Sequence, residues 1–130
     1  MCQQLSAKFD FCTCADDIVA ALNYASSLAE LRRLREAKSL LRKIIPVTRR
    51  IFGETHEITL MLRANYAKAL LDGGATVDDL REAVTTLEDA IRIARRVFGA
   101  AHPLVEGFEG DLQDTRAALR ARETTPAGGA

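Results

Sequence analysis

The chain writes one corner twice. The stretch "RRIFGETH" at residues 49–56 returns as "RRVFGAAH" at 95–102. The likeness extends upstream: "REAKSLLRKIIPVTRRIFGETH" (35–56) laid over "REAVTTLEDAIRIARRVFGAAH" (81–102) is identical at ten of 22 positions, where ordinary residue frequencies give about one or two. Further upstream, "LNYASSL" (22–28) matches "ANYAKAL" (64–70), at an offset of 42 instead of 46. Four extra residues therefore lie between Leu70 and Arg81, and "DGGATVDD" (72–79) is the place for them, because Gly-Gly followed by Thr and two Asp is loop and helix-cap chemistry. A period near 42 residues means stacked supersecondary units, each of which buries its apolar face against the next.

Each unit reads as two helices. In the first, Ile18, Leu22, Ala25 and Leu28 fall at helical spacing behind a start at Thr13 and Asp16. Its partner runs from about Arg35 to Phe52, with Ala37, Leu41, Ile44, Thr48 and Ile51 on one face. The second pair covers about Glu57 to Leu71 and Asp79 to Phe98, the latter with Ala83, Leu87, Ala90, Ala94 and Val97 in the matching stripe. A last helix opens at Pro103, a residue suited to a first helical turn, and continues through Leu104, Phe108, Leu112, Thr115 and Leu119. Phe52-Gly53 and Phe98-Gly99 end the second helix of each unit, where the glycine is expected in the left-handed conformation of a helix exit. His56 and His102 stand just before the next helix and are placed to bond its free N–H groups or the loop. Pro46 falls inside a helix where the second unit has Arg92, which predicts a kink.

Composition agrees with helix packing and narrows function. Apolar residues are 48% of the 130, aromatic ones 5%, with no Trp. Eighteen basic residues balance eighteen acidic ones, so there is no global pull toward nucleic acid or anionic membrane. No apolar run approaches the roughly 20 residues that span a bilayer, and "MCQQLSAKFD" does not read as a signal peptide. Cys2, Cys12 and Cys14 make an odd count, which suits a reduced, cytoplasmic protein. Three cysteines with one Cys-x-Cys and no nearby His fall short of a four-ligand zinc site, so no metal and no cofactor is expected. Phosphate loops, Gly-x-Ser-x-Gly and His-Glu-x-x-His are all missing, which points away from an enzyme.

The repeated unit resembles the tetratricopeptide (TPR) repeat of the kinesin light chain type. The residues that carry the likeness are "LNYA" and "ANYA", Glu36-Ala37 and Glu82-Ala83, and "FGETHE" and "FGAAHP", within roughly residues 16–122. Arg32 stands near the point where the family has a glycine between the helices; Ile44 replaces the small residue matched by Ala90; Asp111-Leu112-Gln113 replaces Asn-Tyr-Ala in a third unit that has only its first helix. The resemblance implies an all-α fold, antiparallel hairpins stacked as a short right-handed solenoid of about two and a half repeats over residues 15–123. Residues 1–14 would be an N-terminal segment in which "KFDFC" reads as the end of a preceding helix, and 124–130 a disordered tail.

It also implies a non-catalytic scaffold that binds a protein or peptide in the concave groove of the first helices, with Asn23, Asn65, Arg63 and Lys68 as contacts. An asparagine there offers both donor and acceptor to a peptide backbone, or else bonds the neighbouring helix. Tyr24 and Tyr66 recur beside them, as packing residues with a hydrated hydroxyl or as ligand contacts. Two other readings stand beside the groove. End faces of the stack could pair between chains to give a homo-oligomer. The basic helix 32–50 could be a nucleic-acid patch, although neutral net charge favours a solvated face with no nucleic acid and no membrane among the partners.

Overall fold

The computed structural model describes residues 15–71 and 75–124, and among these it is all helical. The helices are α1 (Ala15–Glu30), α2 (Leu34–Phe52), α3 (Glu57–Ala69), α4 (Val77–Phe98) and α5 (Pro103–Thr124). Each packs along its sequence neighbour, and the first helices of successive units also touch, α1 on α3 and α3 on α5. The second helices α2 and α4 share at most marginal contact, because α3 stands between them. This is a short helical-repeat solenoid. Cys2, Cys12, Cys14, the Thr13 start, the Gly-Gly pair and the expected tail beyond Thr124 lie outside the described residues.

Turn chemistry explains where the helices stop. At the end of α1, Arg33 N–H donates to Leu28 C=O at 2.8 Å and Arg32 N–H to Ala29 C=O at 3.0 Å, the paired bonds of a helix exit that needs a left-handed residue. Arg32 supplies it, with φ 64°. The position where the sequence lacks the family's glycine still has the glycine's conformation, at the steric cost that a Cβ imposes. Arg32→Gly is therefore expected to raise the unfolding free energy by about 0.5–1 kcal/mol, net of the extra freedom glycine gains when unfolded. A denaturant midpoint that falls or stays put would reject that account.

The two repeated corners are built alike. Gly53 (φ 93°, ψ 168°) and Gly99 (φ 95°, ψ 155°) both have positive φ. Their ψ is extended instead of left-handed, which corrects the sequence expectation and is more restrictive, since that region belongs almost solely to glycine. Nδ1 of His56 then accepts from Ile58 N–H at 3.0 Å, and Nδ1 of His102 from Leu104 N–H at 3.1 Å. The ring of Phe52 lies against His56 and that of Phe98 against His102, with centroids 4.4 and 4.7 Å apart. The recurring Phe-Gly-x-x-His is thus one device: glycine turns the chain, histidine caps the next helix, and phenylalanine holds the imidazole in place. The inserted loop ends on a different cap. Asp79 N–H donates to Thr76 Oγ1 (3.0 Å), and Thr76 N–H donates to Asp79 (3.1 Å), which holds that carboxyl below its usual range.

The core follows the stripes read from sequence, with one correction at each helix end. Ala37, Leu41, Ile44 and Thr48 of α2 and Ala83, Leu87, Ala90 and Ala94 of α4 are buried. Ile51 and Val97, placed last in those stripes, are 38% and 46% exposed. A helix turns every 3.6 residues, so the step beyond 48 and 94 lands nearer 52 and 98. Phe52 and Phe98 take those places and pack on the core. The buried Thr48 and Thr115 satisfy their hydroxyls on the carbonyls of Ile44 and Asp111, one turn back. Pro46 lies on an exposed face, and α2 is helical on both sides of it. The basic run at and along α2 is partly spent in pairs: Arg33, just before the helix, with Glu36, Arg49 with Glu54, and Arg42 with the Tyr66 hydroxyl. No described helix is long and apolar enough to cross a membrane.

Candidate functional site

Along the first helices, α3 and α5 enclose a cleft of about 160 Å³. Its apolar wall comes from Met61, Ala64, Leu104 and Phe108, and its polar groups are Asn65, Lys68 and Asp111. Each is placed by register. Ala64 and Asn65 are adjacent residues on α3, Lys68 lies one turn on, and Gly107 and Asp111 are one turn apart on α5. A Cβ added at Gly107 would meet nothing within 4 Å, so the missing side chain leaves the cleft open there. Burial holds the Asp111 carboxyl above the usual carboxylate range, with Lys68 opposing and Asp114 reinforcing the effect. Toward α1, Asn65 Nδ2 donates to Ser26 Oγ at 3.4 Å, at the outer limit for such a bond. Asn23 is exposed on α1 at the register equivalent to Asn65.

Arg63 is not part of that cleft. Its side chain is buried between α3 and α4, where Nη2 donates to Asp89 Oδ2 at 2.7 Å, and the residue as a whole is 8% exposed. Burial lowers the pKa of its guanidinium, with Glu54 opposing. Arg63 and Asn65 are two positions apart, and 100° per residue carries them to different sides of α3. Tyr66 shares the Arg63 side. Its hydroxyl accepts from Arg42 Nε and donates to Glu82 Oε2, both at 3.1 Å, which ties α2, α3 and α4 together. The expected hydrated hydroxyl is therefore a bonded one at Tyr66. Tyr24, its equivalent in the first unit, is 47% exposed.

The tetratricopeptide repeat pattern matches residues 18–57 and 76–104, together more than half of the chain. The chain belongs to the tetratricopeptide repeat family. No curated protein and no solved structure matches it. The matched segments are the α1–α2 hairpin with its corner and α4 with its corner, so they contain both Phe-Gly-x-x-His devices. TPR repeats generally mediate protein–protein interaction.

Within the TPR array, Asn65 and Lys68 come together beside Asp111, and Asn23 lies along the same row of first helices. Asp111 was missed as a site residue from sequence, though the signal was present: it occupies, in the third unit, the place of Asn65 in the second. Gly107 and Phe108 carried no sequence signal, since an open position and a floor exist only once α5 lies on α3. Among the described residues no group of three or more His, Cys, Asp or Glu is gathered to hold a metal ion.

Proposed function

We propose that this TPR protein is a non-catalytic scaffold that holds an extended or helical peptide along its first helices, with Asn23, Asn65 and Lys68 as polar contacts and Asp111 added to them. The observation that carries the reading is the α3–α5 cleft, where an apolar floor is bordered by an amide, an ammonium and a carboxylate. That composition suits a peptide: apolar side chains bury on Met61, Leu104 and Phe108, while the amide and charges fix register and direction. Asn65 can exchange its long bond to Ser26 for a backbone amide of the guest at little cost. The long period and the Phe-Gly-x-x-His corner support the kinesin light chain type of repeat, and the cysteine usage supports a cytoplasmic setting.

Selection from a displayed random peptide library, followed by titration of the enriched peptide, tests the proposal. Saturable binding is expected to fall by about tenfold or more in Asn23→Ala/Asn65→Ala. It should also be blocked in Gly107→Trp, whose indole would fill the cleft while leaving the helical circular dichroism unchanged. Undiminished affinity in both variants would reject this face.

A second reading is self-association through the outer side of α1 and the turn that follows it. Leu31 is 67% exposed, and Val19 and Tyr24 are also open to solvent. Sedimentation at micromolar concentration decides it, because a monomer there removes the reading.

A further inference from the structure

The repeat places two clefts at equivalent positions, each between a second helix and the first helix that follows it: α4 with α5, and α2 with α3, the latter also bordered by α4. One is lined by Glu88, Ile91, Arg95, Glu109 and Leu112. The other, of about 250 Å³, is lined by Arg42, Ile45, Arg49, Arg63 and Tyr66. At the offset of 46 these are the same five positions. The Glu88–Arg95–Glu109 cleft is balanced from within: Arg95 pairs with Glu109, and Arg116 pairs with Glu88 at 2.6 Å. In the other cleft both of those glutamates are arginines, Arg42 and Arg63, while Arg49 keeps the place of Arg95. The carboxylate on its wall, Glu82, already accepts from the Tyr66 hydroxyl. Arg49 pairs with Glu54 at 3.3 Å, and both side chains are exposed to solvent.

A second observation concerns Arg63. Its side chain is 9% exposed, Nη2 is committed to Asp89, and the buried Nη1 has no hydrogen-bond partner among the described residues. A guanidinium donor left unmatched in a buried position is costly, and a small side-chain shift that brings it to an anion in the cleft would relieve that cost. The cleft thus repeats the design of its neighbour with two glutamates exchanged for arginines from α2 and α3, and Glu82 is the carboxylate that lines it.

We propose that the Arg42–Arg49–Arg63 cleft binds a phosphate-type oxyanion, either as the free ion or as a monoester carried on a partner's side chain. Guanidinium forks match tetrahedral oxyanions through paired N–H···O bonds, and three of them from two helices suit a dianion better than a single carboxylate. The site is independent of the peptide groove, since it lies on the Arg63 side of α3 and not the Asn65 side.

The test is titration of the ¹⁵N-labelled full chain at constant pH and ionic strength, with inorganic phosphate in one arm and N-acetyl-phosphoserine amide in the other, following arginine Nε–H correlations. Saturable shifts are expected at Arg42, Arg49 and Arg63, with Arg95 and Arg116 unmoved. Arg49→Glu places a carboxylate in the cleft at an exposed position and should weaken binding by at least about tenfold, as should Arg42→Gln. Arg95→Gln, in the balanced cleft, should leave binding unchanged. Saturation by both probes assigns the site to the phosphoryl group itself. Saturation by the free ion alone assigns it to inorganic phosphate. The proposal is overturned by the lack of a saturable shift in either arm, by equal shifts at Arg95 and Arg116, or by unaltered affinity in Arg49→Glu.

Discussion

Ile44→Ala is expected to cost about 2–5 kcal/mol of unfolding free energy. Ile44 is fully buried in α2, and its equivalent in α4, Ala90, is fully buried too, so one repeat position is filled by two side chains that differ by three carbons. Truncation at 44 removes contacts on all sides and leaves a cavity that a close-packed interior relaxes around only partly. The reverse change, Ala90→Ile, is expected to cost about 1–3 kcal/mol by overpacking. A domain has only about 5–15 kcal/mol in total, so the double exchange should leave the chain near its limit. Urea denaturation followed by circular dichroism measures both effects. If Ala90→Ile proves neutral or stabilising, α4 has spare room, and the two units differ in spacing rather than in packing.

The second large effect belongs to the corners. Gly53→Ala combined with Gly99→Ala should cost roughly 2–6 kcal/mol in all, taking about 1–3 kcal/mol for each residue forced into a region reserved for glycine. Space is not the obstacle, because a Cβ at either position meets nothing within 4 Å. The cost is torsional, from φ near +93° and +95° with extended ψ. It also extends beyond the glycines, since a shifted turn misplaces His56 and His102 as caps for α3 and α5. The single variants should be roughly additive if the two corners act independently, and a departure from additivity would measure coupling through the α3–α5 contact. A midpoint of the double variant close to that of the unaltered protein would show that the corners relax to another turn.

The corner and the stripes were legible because they are local. Phe-Gly-x-x-His needs only its own few residues to turn, cap and stack, and Ala37, Leu41, Ile44 and Thr48 follow from helical period alone. The stripe failed at Ile51 and Val97 for the same reason it worked elsewhere: a spacing of three and four in strict alternation drifts from 3.6, and Phe52 and Phe98 take the inward positions. Arg32 shows a further limit. Propensity offers no reason to expect an arginine at φ 64°, yet the exit bonds to Leu28 and Ala29 require it.

The candidate site was half readable. Asn23, Asn65 and Lys68 fall on the first helices by register, but Arg63, only two residues from Asn65, is turned to the other side of α3 and buried against Asp89. The stacked α-helical hairpins, the corner device and the family were written in the chain itself, because repetition and periodicity are properties of order along it. Which side chains share a cleft was decided only when α5 lay on α3 and α4 on α3. Contacts between residues 26 to 47 positions apart depend on how one helix is rotated against another, and no local pattern encodes that rotation.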